Sequence, residues 1–267
     1  MHSGAFRRCW SGVLFALLAW GVLPAPACAE ESAEPAESAD TAALTARPAP
    51  VGVINRLSQG VWVTSRTGKG RRLQATPEFV SAGQNFRTNQ GSFLEIRFYD
   101  DGILTLGDRT QVALDDPRVE GVVSTIVLDQ GIIFLLHDPE SGTKEVEIQT
   151  DNASIRLTGP KGEVKGPAHK GTWVLVTAEP GSEGATFVAV LAGKGKAEVW
   201  SLQDGKRVGE GVEVFEGRKL RVEKGKRPSR PWKVDRGLLR LAFELWKPDA
   251  PLLEGSLTDA VLLLVAR

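Results

Sequence analysis

The chain has 267 residues, and its 33 lysines and arginines balance 33 aspartates and glutamates, so the formal net charge is zero. A chain without a basic surplus is not expected to bind nucleic acid. The two cysteines, Cys9 and Cys28, lie near the N-terminus, so the rest of the chain has no thiol for catalysis, zinc binding or a disulfide.

Residues 1–29 predict a secretory signal peptide. Arg7 and Arg8 form its positive region, residues 10–23 are almost continuously apolar, and Ala27-Cys28-Ala29 fits a small-residue cleavage site. The apolar run is too short to span a membrane comfortably. We therefore expect an exported, periplasmic and soluble protein that does not span the membrane once the signal is cleaved.

A lipid anchor on Cys28 is the alternative to soluble export. The lipoprotein motif usually has leucine three residues before the acylated cysteine, and this chain has Ala25 there. The sequence thus favours soluble export. Cleavage after Ala29 would leave 267 − 29 = 238 residues without cysteine, so the exported chain must be stabilised by its core.

Residues 30–50 are rich in Ala, Glu, Ser and Pro and contain almost no bulky side chain. Such a segment cannot bury enough surface to order itself. The sequence predicts a disordered acidic linker here.

From Val51 onward, short apolar alternations with a period of two follow one another, separated by Gly, Asp, Asn and Pro. This pattern predicts strands with one buried face. We expect an all-β body, an elongated sandwich or solenoid-like stack of short antiparallel strands, in two halves at 51–138 and 139–234. The predicted strands are residues 60–65, 93–98, 103–106, 111–114, 125–128, 131–136, 145–150, 154–158, 172–177, 186–191, 196–202, 213–216 and 219–225.

The hairpin formed by the predicted strands 93–98 and 103–106 illustrates the pattern. Leu94, Ile96 and Phe98 point to one side of the strand before the turn. The turn is predicted at Asp100-Asp101-Gly102, where glycine can take a positive φ. The aspartate pairs at 100–101 and 115–116 could bind a cation, but such residues more often cap turns. We therefore assign no metal ligand.

The elements of the first half follow a definite order: a Thr-x-x-Gly-Ser turn, an alternating strand, an Asp-Gly turn and a closing Leu-x-x-Gly step. The positions that carry this order are Gly60-Val61-Trp62-Val63, Leu73, Val80, Gly83-Gln84, Thr88-Asn89-Gln90-Gly91-Ser92, Leu94, Ile96, Phe98, Asp101-Gly102, Leu104, Leu106, Thr110, Val112, Leu114 and Leu128-Asp129-Gln130-Gly131. This order resembles the FecR-type domain of exported bacterial proteins.

The second half resembles the family's continuation at residues 147–159, 186–199 and 212–225. It departs at Gly159-Pro160-Lys161-Gly162, where the family has a continuous strand. Because Pro160 cannot donate to a ladder, we expect a bulge or loop there.

The resemblance implies either of two roles. FecR-type domains occur in membrane regulators that relay a siderophore receptor's signal, behind an anti-sigma segment and a transmembrane helix. Here a signal peptide and a linker stand in that place, as in exported stand-alone domains. We therefore expect a non-catalytic binding or assembly module of the cell envelope whose partner is an envelope protein or a glycan. The alternative is a periplasmic signalling component that modulates a membrane regulator or outer-membrane receptor.

No catalytic, cofactor-binding or metal-binding residue can be assigned, and no cofactor is expected. His137 and His169 lack a second ligand at metal spacing, and a lone histidine at a strand end is usually a surface or turn residue. Paired carboxylates leave a carbohydrate-active enzyme as a third hypothesis. Trp62, Trp173 and Trp200 lie within strands, where core or half-buried packing is favoured over a sugar-stacking platform.

Residues 206–240 carry twelve basic and five acidic side chains, which indicates a solvated segment or, as the sharper hypothesis, a contact with an anionic surface. Within the C-terminal appendix 235–267, residues 235–247 predict a helix that Asp235 caps and Pro248 ends. It would pack on the β body or bind a partner. Its apolar stripe consists of Leu238, Leu241, Ala242, Leu245 and Trp246.

Overall fold

The computed structural model describes residues 50–65, 68–115, 124–138, 145–159, 171–179, 184–235 and 237. Contacts group the chain into two units, Met1–Ala46 and Arg47–Arg267, and all the described strands belong to the second. The predicted signal peptide lies outside the described residues, as do the linker up to residue 49, Pro160 and His169. Within the described ranges, no helix is long and apolar enough to cross a membrane.

Seventeen strands occur within the described ranges, so the prediction of an all-β body is confirmed. Their bounds in chain order are β1 Pro50–Leu57, β2 Val61–Thr64, β3 Gly70–Arg72, β4 Glu78–Ser81, β5 Asn85–Thr88, β6 Leu94–Phe98, β7 Ile103–Leu106, β8 Gln111–Leu114, β9 Ser124–His137, β10 Glu145–Gln149, β11 Ala153–Thr158, β12 Thr172–Ala178, β13 Ala185–Ala192, β14 Lys196–Gln203, β15 Lys206–Val214, β16 Arg218–Glu223 and β17 Trp232–Lys233.

The strands form two sheets that share β9. Sheet A has the order β4–β1–β6–β7–β9–β12–β13–β16–β17. Sheet B has the order β3–β2–β5–β8–β9–β10–β11–β14–β15. Neighbouring strands are antiparallel except β9 and β10, which are parallel. From β10 onward, successive hairpins are placed alternately in sheet B and sheet A.

One hydrophobic core lies between the sheets and draws side chains from both of them. In the predicted hairpin, Leu94, Ile96, Leu104 and Leu106 are all fully buried, which confirms the inward face that the alternation predicted. Burying a Leu or Ile side chain stabilises a fold by about 1.5–3 kcal/mol. A core of this extent can stabilise the chain without a disulfide, as the sequence led us to expect.

Strand β9 passes from one sheet to the other at Gly131. Residues up to Gln130 pair with β8 and β10 in sheet B, and residues from Gly131 pair with β7 and β12 in sheet A. Gly131 has φ +98, and a Cβ there would lie 2.5 Å from the Cα of Thr110. Two strands were predicted at 125–128 and 131–136, and this was wrong because a glycine at a crossing interrupts the pattern without ending the strand.

Two threonines fix the backbone at this crossing. The hydroxyl of Thr110 donates to the carbonyl of Ile132 at 3.1 Å and accepts from the Ile132 N–H at 2.9 Å. The Thr88 hydroxyl accepts from the Thr110 N–H at 2.8 Å and donates to the carbonyl of Gly107 at 2.5 Å. Since both threonines are buried, these bonds satisfy backbone groups that water cannot reach.

The predicted Thr-x-x-Gly-Ser turn packs against the glycine at the start of β2. Gly60 has φ +85, and a Cβ there would lie 2.6 Å from the hydroxyl of Ser92. That hydroxyl donates to the Gln59 carbonyl at 2.6 Å, and the Asn89 N–H donates to the Gly60 carbonyl at 3.1 Å. Gly60, Asn89 and Ser92, which match the family, therefore pack the turn against the start of β2.

A similar buried polar turn joins β10 to β11. The amide of Asn152 donates to the carbonyls of Gly184 at 2.9 Å and Val222 at 3.1 Å, which ties the turn to sheet A. The Thr150 hydroxyl accepts from the Ala153 N–H at 3.0 Å. Within the matched segment 147–159, residues 150–153 thus form a turn that links the two sheets.

Three local predictions need correction. In the turn at 100–102, Asp101 takes the positive φ of +59, whereas Gly102 is buried with little room for a side chain. The predicted strand at 213–216 is wrong, because β15 spans Lys206–Val214 and Phe215 follows it in a turn. Five strands, β1, β3, β4, β5 and β17, were not predicted.

The predicted helix at 235–247 lies almost entirely outside the described residues. Its start is described: the Gly237 N–H donates to Oδ1 of Asp235 at 2.6 Å. This bond is the contact that a capping aspartate makes with the first turn of a helix. The helix beyond Gly237 stays a prediction.

Candidate interaction face on sheet B

The outer face of sheet B carries a dense set of polar and aromatic side chains. In β10, β11 and β14, the inward residues Ile148, Ile155 and Val199 are fully buried. Because side chains alternate along a strand, their neighbours point away from the core. We define the outer face of sheet B by the outward residues of β3, β2, β5, β8, the part of β9 up to Gln130, β10, β11, β14 and β15.

Glu147 is the centre of a hydrogen-bonded cluster on this face. Its Oε1 accepts from the Ser154 hydroxyl at 2.7 Å and the Gln149 amide at 3.1 Å, and it lies 2.8 Å from an Nη2 of Arg207. Burial acts to raise the pKa of Glu147, but the hydrogen bonds from Ser154, Arg207 and Gln149 outweigh it and leave this pKa below its ordinary value. The carboxylate therefore stays charged.

Two arginines flank Trp200 beside this cluster. The guanidinium carbons lie 4.2 Å from the ring centroid for Arg207 and 5.2 Å for Arg156, both within cation–π range. The opposite strand approaches so closely that a Cβ on Gly211 would lie 2.6 Å from the indole ring. A bulge between Val199 and Ser201 gives Trp200 this position opposite β15.

Most charges at this end of the face are paired across strands. Nε of Arg156 lies 3.9 Å from Glu145, and Lys196 pairs with Glu213. Such pairs at a surface contribute little to stability. They do hold Arg156 beside Trp200 in a defined position.

The other end of the face is more open. Trp62 on β2 is 43% exposed, and its cross-strand neighbours are Arg72 on β3 and Arg87 on β5, both exposed. Directly opposed Cβ atoms in an antiparallel pair lie about 4.5–5.5 Å apart. Among residues 50–65 and 68–115, neither arginine forms an ion pair. We call Arg72, Trp62 and Arg87 the Trp62 row.

The Trp62 row continues across the sheet into polar side chains. Arg87 pairs in register with Gln111, and Gln111 pairs with Gln130. The amide of Gln111 donates to Oδ2 of Asp129 at 2.8 Å. Partial burial raises the pKa of Asp129 above its ordinary value. The hydrogen bond from Gln111 lowers this pKa in part, and the negative charge of Asp151 raises it further. Five adjacent strands thus present cationic, aromatic and amide groups on one surface.

Trp62 and His137 differ in burial from what the sequence led us to expect. Trp173 and Trp200 are half-buried, as expected, whereas the expectation of core or half-buried packing is wrong for Trp62. His137 ends β9, but it is buried, so its interpretation as a surface or turn residue is also wrong.

Of the two aspartate pairs, the pair at 100–101 makes contacts within its own turn. Oδ1 of Asp100 accepts from the Gly102 N–H at 3.2 Å, and Asp101 pairs with Arg97 at 3.2 Å. Asp116 lies outside the described residues. In the part of the chain that the structure describes, no group of three or more His, Cys, Asp or Glu could hold a metal ion.

The basic segment 206–240 does not form one surface in its described part, which ends at Asp235 apart from Gly237. Its first strand, β15, lies in sheet B, whereas β16 and β17 lie in sheet A. Lys219 is buried with its Nζ 5.6 Å from the ring of Trp232, so this charge is not available to an anionic surface.

Comparison with known proteins identifies the scaffold. Residues 84–194 match the model of the family described as FecR protein. This stretch is a FecR-type domain. It runs from the start of β5 to the end of β13 and includes the Gly131 crossing and both bracing threonines. Trp62 and Arg72 precede the matched FecR stretch, and Trp200 and Arg207 follow it.

Two solved structures of a protein described as a "putative anti-sigma factor" from Parabacteroides distasonis ATCC 8503 are similar to this chain. Each is 14% identical with a TM-score of 0.44, over 60% of this chain. The chain spans 64% of the length of those solved chains. A cell surface anchoring domain matches with 25% identity and a TM-score of 0.24, over 26% of this chain and 88% of its own. No curated protein matches.

Proposed function

We propose that this chain is a non-catalytic binding module of a bacterial envelope signalling system, and that its partner binds the outer face of sheet B. The FecR-type domain at residues 84–194 supports the link to signalling, because the family includes regulators that relay a receptor's signal. The predicted signal peptide supports a place in the periplasm.

The Trp62 row is the observation that carries the choice of surface. An exposed tryptophan between two arginines is the composition that dominates binding energy in protein interfaces. The arginines lack acidic partners within the described residues, so a partner that supplies carboxylates would gain charge-assisted hydrogen bonds. We therefore propose an acidic protein surface, on a membrane regulator or outer-membrane receptor, as the partner.

A glycan of the envelope is the second candidate. The open ring of Trp62 could stack on a sugar, and the amides of Gln111 and Gln130 follow it in register. The two candidates differ in how they depend on charge, since stacking on a neutral sugar does not need the arginines.

Photo-crosslinking in the source cells tests the proposal. A photoreactive amino acid replaces Asn85, an exposed residue beside the Trp62 row on β5 of sheet B, or, as the control, exposed Tyr99 at the end of β6 in sheet A, and crosslinked products are identified by mass spectrometry. We expect an envelope regulator or receptor to be captured from position 85 and not from position 99. The proposal fails if position 85 captures nothing, or if both positions capture the same proteins.

Matched variants then define the chemistry of the contact with any captured protein. Trp62→Ala and Arg87→Glu should each weaken its binding by at least about tenfold, as for a hot-spot residue. Phe79→Ala, which removes an exposed aromatic ring from sheet A, should leave binding unchanged. If Trp62→Ala abolishes retention on an envelope glycan while Arg87→Glu does not, the second candidate replaces the first.

A further inference from the structure

The Trp62 row ends at an open edge of sheet B. Strand β3 pairs with β2 on one side, and no strand within the described ranges pairs with it on the other side. All three residues of β3, Gly70–Arg72, are exposed. An unpaired edge presents backbone N–H and C=O groups to which a further strand can bond. Arg72 therefore belongs both to this open edge and to the Trp62 row.

The hydrogen bonds between β2 and β3 show which residues direct their backbone groups to the open edge. The Leu73 N–H, directly after β3, donates to the carbonyl of Val61 at 2.9 Å. In an antiparallel pair, residues that bond across the ladder alternate with residues that do not. Arg71 therefore bonds to β2 as Leu73 does, whereas Gly70 and Arg72 point their N–H and C=O groups away from β2.

These outward groups are available to a partner. In the part of the chain that the structure describes, neither Gly70 nor Arg72 makes a backbone hydrogen bond outside the β2–β3 ladder. The edge thus offers two N–H donors and two carbonyl acceptors. A strand bonded to them would place one residue opposite Arg72, at a Cα–Cα distance of about 5.5 Å. The side chain of that residue would extend the Trp62 row by one position.

The charge of this edge selects the chemistry of an added strand. Lys69, Arg71 and Arg72 are all exposed and basic. Arg71 pairs with Glu78, whereas Lys69 and Arg72 form no ion pair among the described residues. Arg87, two strands away from Arg72 on the same face, adds another exposed positive charge. Because opposite charges on neighbouring strands attract, a strand with acidic side chains matches this edge.

We propose that the partner supplies an extended acidic segment that joins sheet B as a strand beside β3. This inference rests on the proposed function and specifies how the partner binds the Trp62 row. Main-chain hydrogen bonds to Gly70 and Arg72 provide affinity, and alternate side chains of the added strand provide specificity. A carboxylate opposite Arg72 forms charge-assisted hydrogen bonds with its guanidinium.

Hydrogen exchange of single amides tests this strand addition. The full chain is measured alone and in complex with the protein that position 85 captures, by mass spectrometry with electron-transfer fragmentation. We expect the N–H groups of Gly70 and Arg72 to exchange at least ~10-fold more slowly in the complex, because the added strand bonds to them. Unchanged exchange of both amides would overturn the proposal. Protection of both in the free chain would also overturn it, since a segment of this chain or a second copy would then occupy the edge.

Gly70→Pro and Gly70→Ala form a matched pair of variants. Proline removes the outward N–H and is tolerated at the first residue of an edge strand. Alanine keeps the N–H, and its Cβ would lie in ordinary contact with Oγ1 of Thr64, at 3.4 Å. We expect Gly70→Pro to weaken binding of the captured protein at least ~10-fold and Gly70→Ala to change it less than about twofold. Equal affinities of the two variants would refute the added strand. If Gly70→Pro loses its strand signal in circular dichroism, amide exchange in the unaltered chain decides.

Arg72→Glu tests the acidic chemistry of the segment, because like charges directly opposed in a sheet are destabilising. We expect this variant to bind at least ~10-fold more weakly and to lose the protection of the Gly70 N–H, whereas Arg97→Glu on sheet A changes neither. Protection that survives Arg72→Glu would refute an acidic segment. If Trp62→Ala weakens binding and Gly70→Pro does not, the added strand is refuted and the proposed function stands. If neither variant weakens binding, the proposed function fails as well.

Discussion

Replacing Gly131 by alanine tests whether the crossing of β9 holds the two sheets together. Gly131 has φ +98, where an L-residue is disfavoured, and an added Cβ would lie 2.5 Å from the Cα of Thr110. The conformational cost is about 1–2 kcal/mol. Because the clash is with backbone that the hydroxyl bonds of Thr110 hold in place, relief of the contact costs a further ~1–3 kcal/mol.

We therefore expect Gly131→Ala to reduce the free energy of unfolding by about 2–5 kcal/mol, a large part of the roughly 5–15 kcal/mol typical of a domain. At an m-value of about 2–3 kcal/mol per molar, the urea midpoint should fall by roughly 1–2 M. Urea unfolding followed by tryptophan fluorescence measures this shift.

Gly205→Ala is the matched control. Gly205 lies in the turn between β14 and β15 with φ +71, and no atom lies within 4 Å of a Cβ placed there. This variant should lose only the conformational part, about 1–2 kcal/mol. If Gly131→Ala is no more destabilising than Gly205→Ala, the backbone at the crossing is free to move. The hydroxyl bonds of Thr110 then do not hold that backbone in place, and our reasoning is refuted.

Three further predictions concern the polar clusters. Because the pKa of Glu147 is lowered in the folded state, its contribution to stability is present above its ordinary pKa of about 4.5 and lost as pH falls through the lowered value. Glu147→Gln should therefore flatten the acid limb of a plot of unfolding free energy against pH, and an unchanged limb would contradict the cluster. Gly211→Ala should cost about 1–3 kcal/mol, because it forces the ring of Trp200 to move, and should alter near-ultraviolet circular dichroism. Asn152→Ala removes the amide that donates to the buried carbonyl of Val222 and to the part-buried carbonyl of Gly184, and it should cost about 1–3 kcal/mol in urea unfolding. A change under about 0.5 kcal/mol would show that water replaces this donor.

The sequence predicted the strands that have one clearly apolar face. In β6 and β7, apolar and polar residues alternate, so both the strands and their inward residues were predictable. In β15, residues 206–210 are all exposed at the sheet edge, so no burial pattern marks that part as a strand. The inward positions of β9 shift from Ile126 and Leu128 before Gly131 to Ile133 and Leu135 after it. A local period cannot reveal this change of sheet, because residues 132–136 are all apolar and do not show which of them point inward.

The candidate site was less predictable than the fold. Trp62 lies between Val61 and Val63, so three consecutive positions of β2 are apolar and the alternation does not say which side is outward. Arg72 and Arg87 become its neighbours through strand pairing across 10 and 25 residues of sequence. In β5, exposed Arg87 alternates with buried Phe86 and Thr88. This alternation was the local signal that could have suggested an outward basic position.

The family resemblance and the candidate site depend on different residues. The signature positions Gly60, Thr88, Thr110 and Gly131 are engaged in crossings and turns, where a larger side chain or a lost hydroxyl would disturb the backbone. The Trp62 row makes no such contact, and a substitution there would leave the core intact. A chain can therefore keep every signature residue and still bind a different partner, because the signature specifies the scaffold while the outward residues of sheet B specify the surface. It follows that Trp62→Ala should change binding without a change in unfolding free energy, whereas Thr110→Val should do the reverse.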